Sequence, residues 1–290
     1  MRTNRDKLVK MSVQGSAHHP SGAEVRMDSN GHAFVLPAIG GITYNVKVGD
    51  PCFGLAGDHI EPGVSMQNRD SHLNDAFMVF SCLGNKARVL NGDAKGAVGY
   101  VTGKHAGVEH VMAYFPEEDL YKMAIGDDIL VEAYGQGLRL LDHPDVMVQS
   151  LDPDILDVMG IEEKNGKLVV PVTAVIPSHL MGAGLGHLNC YTGDYDLMTL
   201  DRAEIAELGL DKLRFGDFVL LQDCDNVYGR CYLRGATTIG VVIHSDCIVS
   251  GHGPGITSVL ASKGPALEAK LDPTANIVKY HELAMKKQRK

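Results

Sequence analysis

The sequence has no tryptophan, no long apolar run and no concentration of positive charge. A membrane-spanning helix needs roughly 18 or more consecutive apolar residues, so we expect no membrane partner. The formal net charge of -9 argues against the basic face that nucleic-acid binding requires. Residues 1–10 are polar and basic with no apolar core segment, which predicts the absence of a signal peptide and a cytoplasmic location.

Several local motifs are also missing. The six cysteines form no C-x-x-C pair, which argues against a structural zinc knuckle, and we expect reduced thiols that are mostly buried. The pattern of a phosphate-binding loop, G-x-x-x-x-G-K-[ST], is not met around Lys104, because His105 stands where Ser or Thr is required. No G-x-S-x-G nucleophile elbow occurs, and no Ser–His–Asp triad can be assigned.

What the chain does have is 33 glycines among many short apolar runs. This combination favours a mainly β, mixed α+β fold with barrel-like sheets and short covering helices. We predict an N-terminal β-rich domain over residues 1–160 and a C-terminal β-rich domain over residues 161–290. The second would end in a helix over residues 277–287. Apolar, glycine-rich strands also suggest a homo-oligomer.

The predicted strands alternate with glycine turns throughout the chain. In the first half they cover residues 33–39, 42–48, 77–82, 96–102, 108–115 and 128–134. In the second half they cover residues 168–176, 218–222 and 237–244. Short helices are expected after Pro116 and Asp152, because proline and acidic residues favour the first turn of a helix.

Two polar clusters lie in glycine-rich turns of the first half. Residues 54–65 contain Asp58, His59 and Glu61, which could contact a substrate or converge on a metal. Residues 102–107 read TGKHAG, so that Lys104 and His105 could bind an anionic group. The alternatives are a surface turn for the first cluster and an exposed hairpin tip for the second.

The most specific local pattern covers residues 171–196. An apolar strand leads into a glycine loop that holds His187, Asp194 and Asp196. One imidazole and two carboxylates can bind a divalent metal, or position a water molecule and move its proton. This stretch therefore predicts a functional pocket.

Two further clusters follow predicted strands. Asp223 and Asp225 would face one side if the strand continues, where a cation or Arg230 could compensate their charge. A structural Arg–Asp network is the alternative. His244 and Asp246 would share a face at the end of a buried strand. The loop 251–255, which contains His252, could direct backbone N–H groups toward an anion.

Taken whole, the chain resembles a prokaryotic family catalogued as a domain of unknown function, number 4438. The resemblance rests on Asn91-Gly-x-x-x-Gly96, Thr102-Gly-Lys-His105, Gly135-Gln-Gly-Leu138, Gly193-Asp-Tyr-Asp196 and residues 241–255. It implies a β-rich protein with N- and C-terminal parts, and it brings no known catalytic residues.

Residues 171–196 also resemble the active-site stretch of the acetamidase/formamidase family. There a P-V strand leads through P-x-x-L to G-D-G-H and then to G-D-G-E. Here Leu185 stands in place of an Asp and Asp196 in place of a Glu. The resemblance implies a β-rich amide hydrolase with His187, Asp194 and Asp196 in the site and a divalent metal as a candidate cofactor.

These observations lead to one functional hypothesis, the hydrolysis of a small amide or a related C–N bond. The catalytic candidates are His187, Asp194 and Asp196. The substrate-binding candidates are Asp58, His59, Glu61, His105, Arg230 and His252. The candidate ligands for Zn, Mg, Ca or Mn are His187, Asp194, Asp223, Asp225, His244 and Asp246. The alternatives are a non-catalytic binder of a small polar metabolite and an oligomeric structural protein whose glycine loops only mediate subunit contacts.

Overall fold

The computed structural model describes residues 1–21, 25–184 and 190–289. Within these described residues, the first half of the chain forms nine strands. They are β1 (Met11–Ala17), β2 (Arg26–Met27), β3 (Ala33–Phe34), β4 (Ile42–Thr43), β5 (Gly63–Gln67), β6 (Lys86–Val89), β7 (Val98–His105), β8 (His110–Tyr114) and β9 (Asp128–Ala133). β2 and β3 pair with each other as a separate hairpin.

Six of these strands close into a barrel. Their order is β1-β9-β6-β7-β8-β5, and pairing between β1 and β5 completes the ring, with β4 added to the edge of β5. Val64, Met66, Val101, Ile129 and Val131 belong to its buried apolar core. Closure leaves no free sheet edge among the six strands, which explains how such short strands form a stable unit.

The second half forms an open, half-barrel sheet and a smaller sheet. Its strands are β10 (Met147–Val148), β11 (Glu162–Lys164), β12 (Lys167–Val172), β13 (Ala174–Ile176), β14 (Met181–Gly184), β15 (Tyr195–Leu197), β16 (Phe218–Asp225), β17 (Cys231–Val242), β18 (Gly255–Ser262) and β19 (Leu267–Leu271). The large sheet has the order β13-β16-β17-β18-β15-β14, with β10 paired to β18. β11, β12 and β19 form the smaller sheet.

The helices of the described residues are short and cover the sheets. They are α1 (Ser71–Phe80), α2 (Glu117–Leu120), α3 (Pro153–Leu156), α4 (Arg202–Glu207) and α5 (Ile277–Gln288), with 3-10 turns at Arg5–Lys7, Ser178–Leu180 and Leu210–Lys212. None of these helices is long and apolar enough to cross a membrane. The predicted mainly β architecture with barrel-like sheets and short helices is confirmed.

One predicted strand, over residues 77–82, is wrong because α1 occupies most of it. The Asp70 side chain accepts hydrogen bonds from the backbone N–H groups of His72 and Leu73, which makes it an N-cap. The buried residues Asn74, Phe77 and Met78 then follow helical spacing rather than strand alternation. Phe77 packs where β1 has Gly15, whose lack of a side chain leaves room for the aromatic ring.

The strands predicted over residues 33–39 and 42–48 are reduced to the two-residue strands β3 and β4. Pro37 cannot donate a backbone hydrogen bond to a sheet. Gly40 and Gly41 both adopt positive φ, which turns the chain between the two predicted strands. These residues therefore form a loop that lies beside the barrel rather than a pair of strands.

The two halves are in direct contact through β7 and β18. The backbone N–H of Lys104 donates to Thr257 Oγ1 at 3.2 Å, and the Thr257 hydroxyl donates to the Lys104 carbonyl at 3.0 Å. Ser245 makes a similar connection, because its Oγ accepts from Ile60 N at 2.8 Å and its backbone N–H donates to Ile60 O at 3.0 Å. These bonds bring the loop before β5 against the end of β17.

Candidate functional site

Imidazoles and carboxylates from both halves meet where the barrel contacts the half-barrel sheet. His59 and Glu61 lie in the loop before β5, and His105 ends β7. Asp194 and Asp196 lie at the start of β15, His244 follows β17, and His252 precedes β18. We call the group of His59, His105, Asp194, Asp196, His244 and His252 the His–Asp centre. The halves thus share one site, a question that the sequence left open.

His244 is the middle of the His–Asp centre. Its Nε2 lies 3.1 Å from Asp194 Oδ2 and 3.1 Å from Asp196 Oδ1. Ligand atoms of His105, Asp194 and His244 all lie within 4.8 Å of one another, and so do those of His59, Asp196 and His244. Both sets use His244 Nε2, so these spacings allow an ion to bind His244 with the partners of one set or of the other after small adjustments.

One carboxylate oxygen at the centre has no hydrogen-bond partner in the described part of the chain. Asp194 Oδ1 accepts from Ala106 N at 2.8 Å, which fixes the carboxylate. Asp194 Oδ2 is buried and, despite its proximity to His244, is outside hydrogen-bonding geometry. Gly193 permits this arrangement, because a Cβ there would lie 2.3 Å from the Ala106 Cβ. A buried carboxylate oxygen without a hydrogen bond is costly, and either a protonated His244 or a bound metal cation would compensate its charge.

The Nδ1 atoms of the three buried imidazoles of the centre face hydrogen-bond acceptors. His59 Nδ1 lies 2.9 Å from Asp58 Oδ1, and His244 Nδ1 lies 2.9 Å from the Ser245 carbonyl oxygen. His105 Nδ1 contacts Glu61 Oε1. If Nδ1 carries the proton in each ring, Nε2 is free to bind a metal. Metal-binding histidines almost always show this pattern.

Glu61 is the most enclosed acidic group of this region. Its carboxylate contacts His105, lies 3.1 Å from His110 Nδ1, and accepts from the Ser65 hydroxyl. Burial acts to raise the pKa of Glu61, but its contacts with His105 and His110 outweigh it and hold the pKa well below the ordinary range. Glu61 is therefore ionised and orients the His105 ring.

The charges of the centre stabilise one another strongly. Burial acts to lower the pKa of His59, but contacts with Asp196 and Asp58 outweigh it and raise the pKa to about 12. The pKa of His244 rises to about 9 against the effect of burial, because Asp194 and Asp196 lie beside it. The pKa of Asp196 is held well below its ordinary range by His244, His252 and His59, although burial opposes this. A metal ion that binds at these imidazoles must therefore displace protons, and its affinity would rise with pH.

Gly255 allows two of these ligand atoms to pack closely against the backbone. A Cβ at this position would lie 2.1 Å from Asp194 Oδ2 and 2.2 Å from His244 Nε2. Its φ is not positive, so the backbone conformation does not require glycine here. The absence of a side chain instead provides the room that Asp194 Oδ2 and His244 Nε2 occupy.

His59 itself has a positive φ of 52°, which is uncommon for a residue with a side chain. Neighbouring bonds hold this conformation, since Asp58 N donates to the Pro37 carbonyl at 3.0 Å and Ile60 is tied to Ser245. Asp58 also accepts from Arg26 at 2.6 Å, and its pKa is lowered to about 2 against burial, chiefly by His59 and Cys247. Backbone strain of this kind is concentrated at functional sites.

The sequence-predicted residues that the structure describes divide into two groups. The centre and its immediate supports contain Asp58, His59, Glu61, His105, Asp194, Asp196, His244 and His252. His187 lies outside the described residues. The remaining candidates make contacts elsewhere and are Asp223, Asp225, Arg230 and Asp246.

Asp223 and Asp225 were expected to face one side, and a bulge in β16 prevents this. The register of β16 against β17 shifts between Gln222 and Cys224, and Asp223 has a φ of 50°. Asp223 Oδ1 accepts from Gly235 N at 2.7 Å, and Asp225 Oδ1 accepts from Val227 N at 2.9 Å. Both carboxylates therefore stabilise the β16–β17 hairpin.

Arg230 and Asp246 also point away from the centre. The Arg230 guanidinium lies over the ring of Tyr195, which faces the side of β15 opposite to Asp194 and Asp196. Asp246 pairs with Arg202 at 2.7 Å and accepts from the Thr199 hydroxyl at 2.5 Å. Asp246 therefore holds α4 in place through Arg202. From the sequence, Asp246 was instead expected to share a face with His244 at the end of a strand.

Three supporting residues were not among the predicted site residues. His110 lies directly opposite His105 across the β7–β8 hairpin, so the short turn between them was a usable signal. Arg26 and Cys247 both contact Asp58, the latter with its Sγ 2.7 Å from Asp58 Oδ1. Because Arg26 and Cys247 are distant from Asp58 in sequence, nothing local could have connected them.

A large cavity lies away from the His–Asp centre. It has a volume of about 990 Å³ and is lined by residues that include Arg5, Tyr100, Tyr134, His281 and Glu282. A second cavity of about 660 Å³ is lined by residues that include Met147, Lys167 and Tyr228. Neither of these two cavities is lined by a member of the centre.

The chain is thus a mainly β protein with a buried imidazole–carboxylate centre between a closed barrel and a half-barrel. It belongs to the family described as domain of unknown function DUF4438. The N-terminal family model matches residues 25–157, and the C-terminal model matches residues 158–281. Our division into domains stays a prediction.

The chain is also similar to a solved structure, described as the crystal structure of TM1086. The sequences are 48% identical over 97% of this chain and 99% of that chain, with a TM-score of 0.93. No curated protein matches the chain.

Proposed function

We propose that this protein is a metal-dependent hydrolase that cleaves a small amide or a related C–N bond at the His–Asp centre. The observation that supports the proposal is the buried Asp194 Oδ2, which lies beside His244 and His105 and has no hydrogen bond among the described residues. Hydrolytic metal sites combine such ligands with a position left open for water or substrate.

The donor atoms favour a transition metal over an alkaline-earth ion. Imidazole nitrogen suits Zn²⁺ and comparable ions, whereas Mg²⁺ and Ca²⁺ prefer oxygen ligands. His105, His244 and Asp194 would hold the ion, and Glu61 would keep the His105 ring in place. A divalent ion there would polarise a carbonyl group and lower the pKa of a bound water.

Substrate would approach from the side of His252. The side chain of His252 is 35% exposed, whereas those of His244 and Asp196 are 0% and 7% exposed. The centre therefore reaches solvent at His252, which suits a small substrate. His187 stays the proposed acid–base group, because it precedes Asp194 in the same glycine loop.

Small amides are the first substrates to test because residues 171–196 resemble the acetamidase/formamidase active-site stretch. The protein should be stripped with a chelator and reloaded separately with Zn²⁺, Mn²⁺, Mg²⁺ or Ca²⁺. Ammonia release from formamide, acetamide and longer amides is then measured. We expect turnover with Zn²⁺ or Mn²⁺ and little with Mg²⁺ or Ca²⁺.

Asp194→Asn removes the charge of the unpartnered oxygen and should lower turnover by about 100-fold or more. Asp246→Asn is the matched control, since this carboxylate contacts Arg202 and Thr199 rather than the centre. Full activity in the Asp194 variant, or no turnover of any amide with any metal, would contradict the proposal. Tight binding of a metabolite without turnover would instead support the non-catalytic binder. A homo-oligomer and a cytoplasmic location stay predictions.

A further inference from the structure

Asp196 presents its two carboxylate oxygens to two different sets of imidazoles. Its Oδ1 lies 3.1 Å from His244 Nε2, and the same nitrogen lies 3.1 Å from Asp194 Oδ2 and close to His105. Its Oδ2 lies 2.6 Å from His252 Nδ1 and 3.3 Å from His59 Nε2. A carboxylate with ligand atoms on both sides has the geometry of a bridge.

The second side of Asp196 is itself a compact set of donor atoms. His59 Nε2 and His252 Nδ1 lie 3.2 Å apart, and both face the same carboxylate oxygen. Two ring nitrogens in direct contact repel one another unless a proton or another cation lies between them. The Asp58 carboxylate accepts a hydrogen bond from His59 Nδ1. In the neutral ring the proton is therefore on Nδ1, and Nε2 carries the lone pair that can bind a metal.

We propose that the His–Asp centre binds two divalent transition-metal ions bridged by Asp196. The first ion takes His105, His244, Asp194 and Asp196 Oδ1, and the second takes His59, His252 and Asp196 Oδ2. This inference rests on the proposed function and adds a second ion to it. Paired ions in hydrolytic sites lie roughly 3.5–4 Å apart and stabilise both the attacking and the leaving group.

The test is a count of bound metal together with a measure of coupling between ions. Stripped protein is titrated with Mn²⁺, and bound metal per chain is determined by elemental analysis after dialysis. Electron paramagnetic resonance of the same samples reports whether the ions are spin-coupled. We expect two equivalents and a coupled spectrum for the wild-type protein.

Variants separate the two positions. His252→Ala should reduce binding to one equivalent with an uncoupled spectrum, because it removes a ligand of the second ion only. Asp196→Asn should weaken coupling. His179→Ala is the matched control, since His179 is an exposed histidine paired with Glu204, and it should retain two coupled equivalents.

The outcomes are distinguishable from those that concern the proposed function. One uncoupled equivalent in the wild-type protein that still hydrolyses amides overturns the second ion and leaves the hydrolase intact. Two equivalents without coupling overturn the bridge. Two coupled equivalents without amide turnover support this inference and contradict the proposed reaction. No bound metal contradicts both.

Discussion

At the scale of single residues, the centre is defined by which atoms are already occupied. The Nδ1 atoms of His59, His105 and His244 face acceptors, and Asp194 Oδ1 accepts from a backbone amide. The opposite ends of these side chains converge. These hydrogen bonds hold the side chains in position in the absence of a ligand. They are needed because a buried polar side chain without a hydrogen bond lowers the stability of the fold.

Gly255→Ala should reduce metal affinity by about 10–100-fold, the range seen when ligand orientation is disturbed. The added Cβ would lie 2.1 Å from Asp194 Oδ2, so the carboxylate or His244 must move. Isothermal titration with Zn²⁺ measures the effect. Gly264→Ala is the control, because nothing lies within 4 Å of its Cβ position and its φ is not positive. Equal affinity in both variants would show that the space beside Asp194 is not used.

At the scale of elements, the site depends on how strand ends and loops are placed. Asp194 and Asp196 share one face because they are two residues apart at the start of β15. His105 and His110 are brought together by the β7–β8 hairpin. The same strand argument failed at Asp223 and Asp225, because the bulge in β16 reverses the alternation at that point.

Helix α5 offers a pH-dependent contact that is separate from the centre. The His281 ring stacks on Tyr100 with centroids 3.7 Å apart, and burial lowers the pKa of His281 to about 4. Because the neutral ring is favoured in the folded state, this contribution to stability is present above the unfolded pKa of about 6.5. It is lost as the pH falls from about 6.5 toward 4.

His281→Phe keeps an aromatic ring on Tyr100 but removes the titrating group. Relative to wild type, the free energy of unfolding of this variant should rise by on the order of 1–2 kcal/mol between pH 7.5 and pH 4.5, after allowance for solvent screening. Urea unfolding at several pH values measures the difference. His72→Phe, at an exposed position of α1, should give an offset that does not change with pH. A constant offset for His281→Phe as well would mean that the helix contact does not titrate.

At the scale of the whole molecule, the fold and the site were predictable to different extents. Glycine-rich turns and short apolar runs were sufficient for the mainly β architecture, because these signals are local. Most candidate residues of the centre were also identified from their clustering with glycine. That residues of the two halves lie together in one centre could not be predicted from the sequence. It depends on contacts between the halves, of Ser245 with Ile60 and of β7 with β18. Contacts of such long sequence separation leave no periodic trace in a single sequence.

The most direct test of the account is the position of a bound metal in crystals of the Zn²⁺-loaded protein. Anomalous scattering measured at the zinc absorption edge locates the ion without reference to any assumed ligand. We predict a peak at coordination distance, roughly 2.0–2.2 Å, from nitrogen atoms of His105 and His244 and from Asp194 Oδ2. A map without a peak between these side chains, or with zinc only at surface residues, would contradict the central claim.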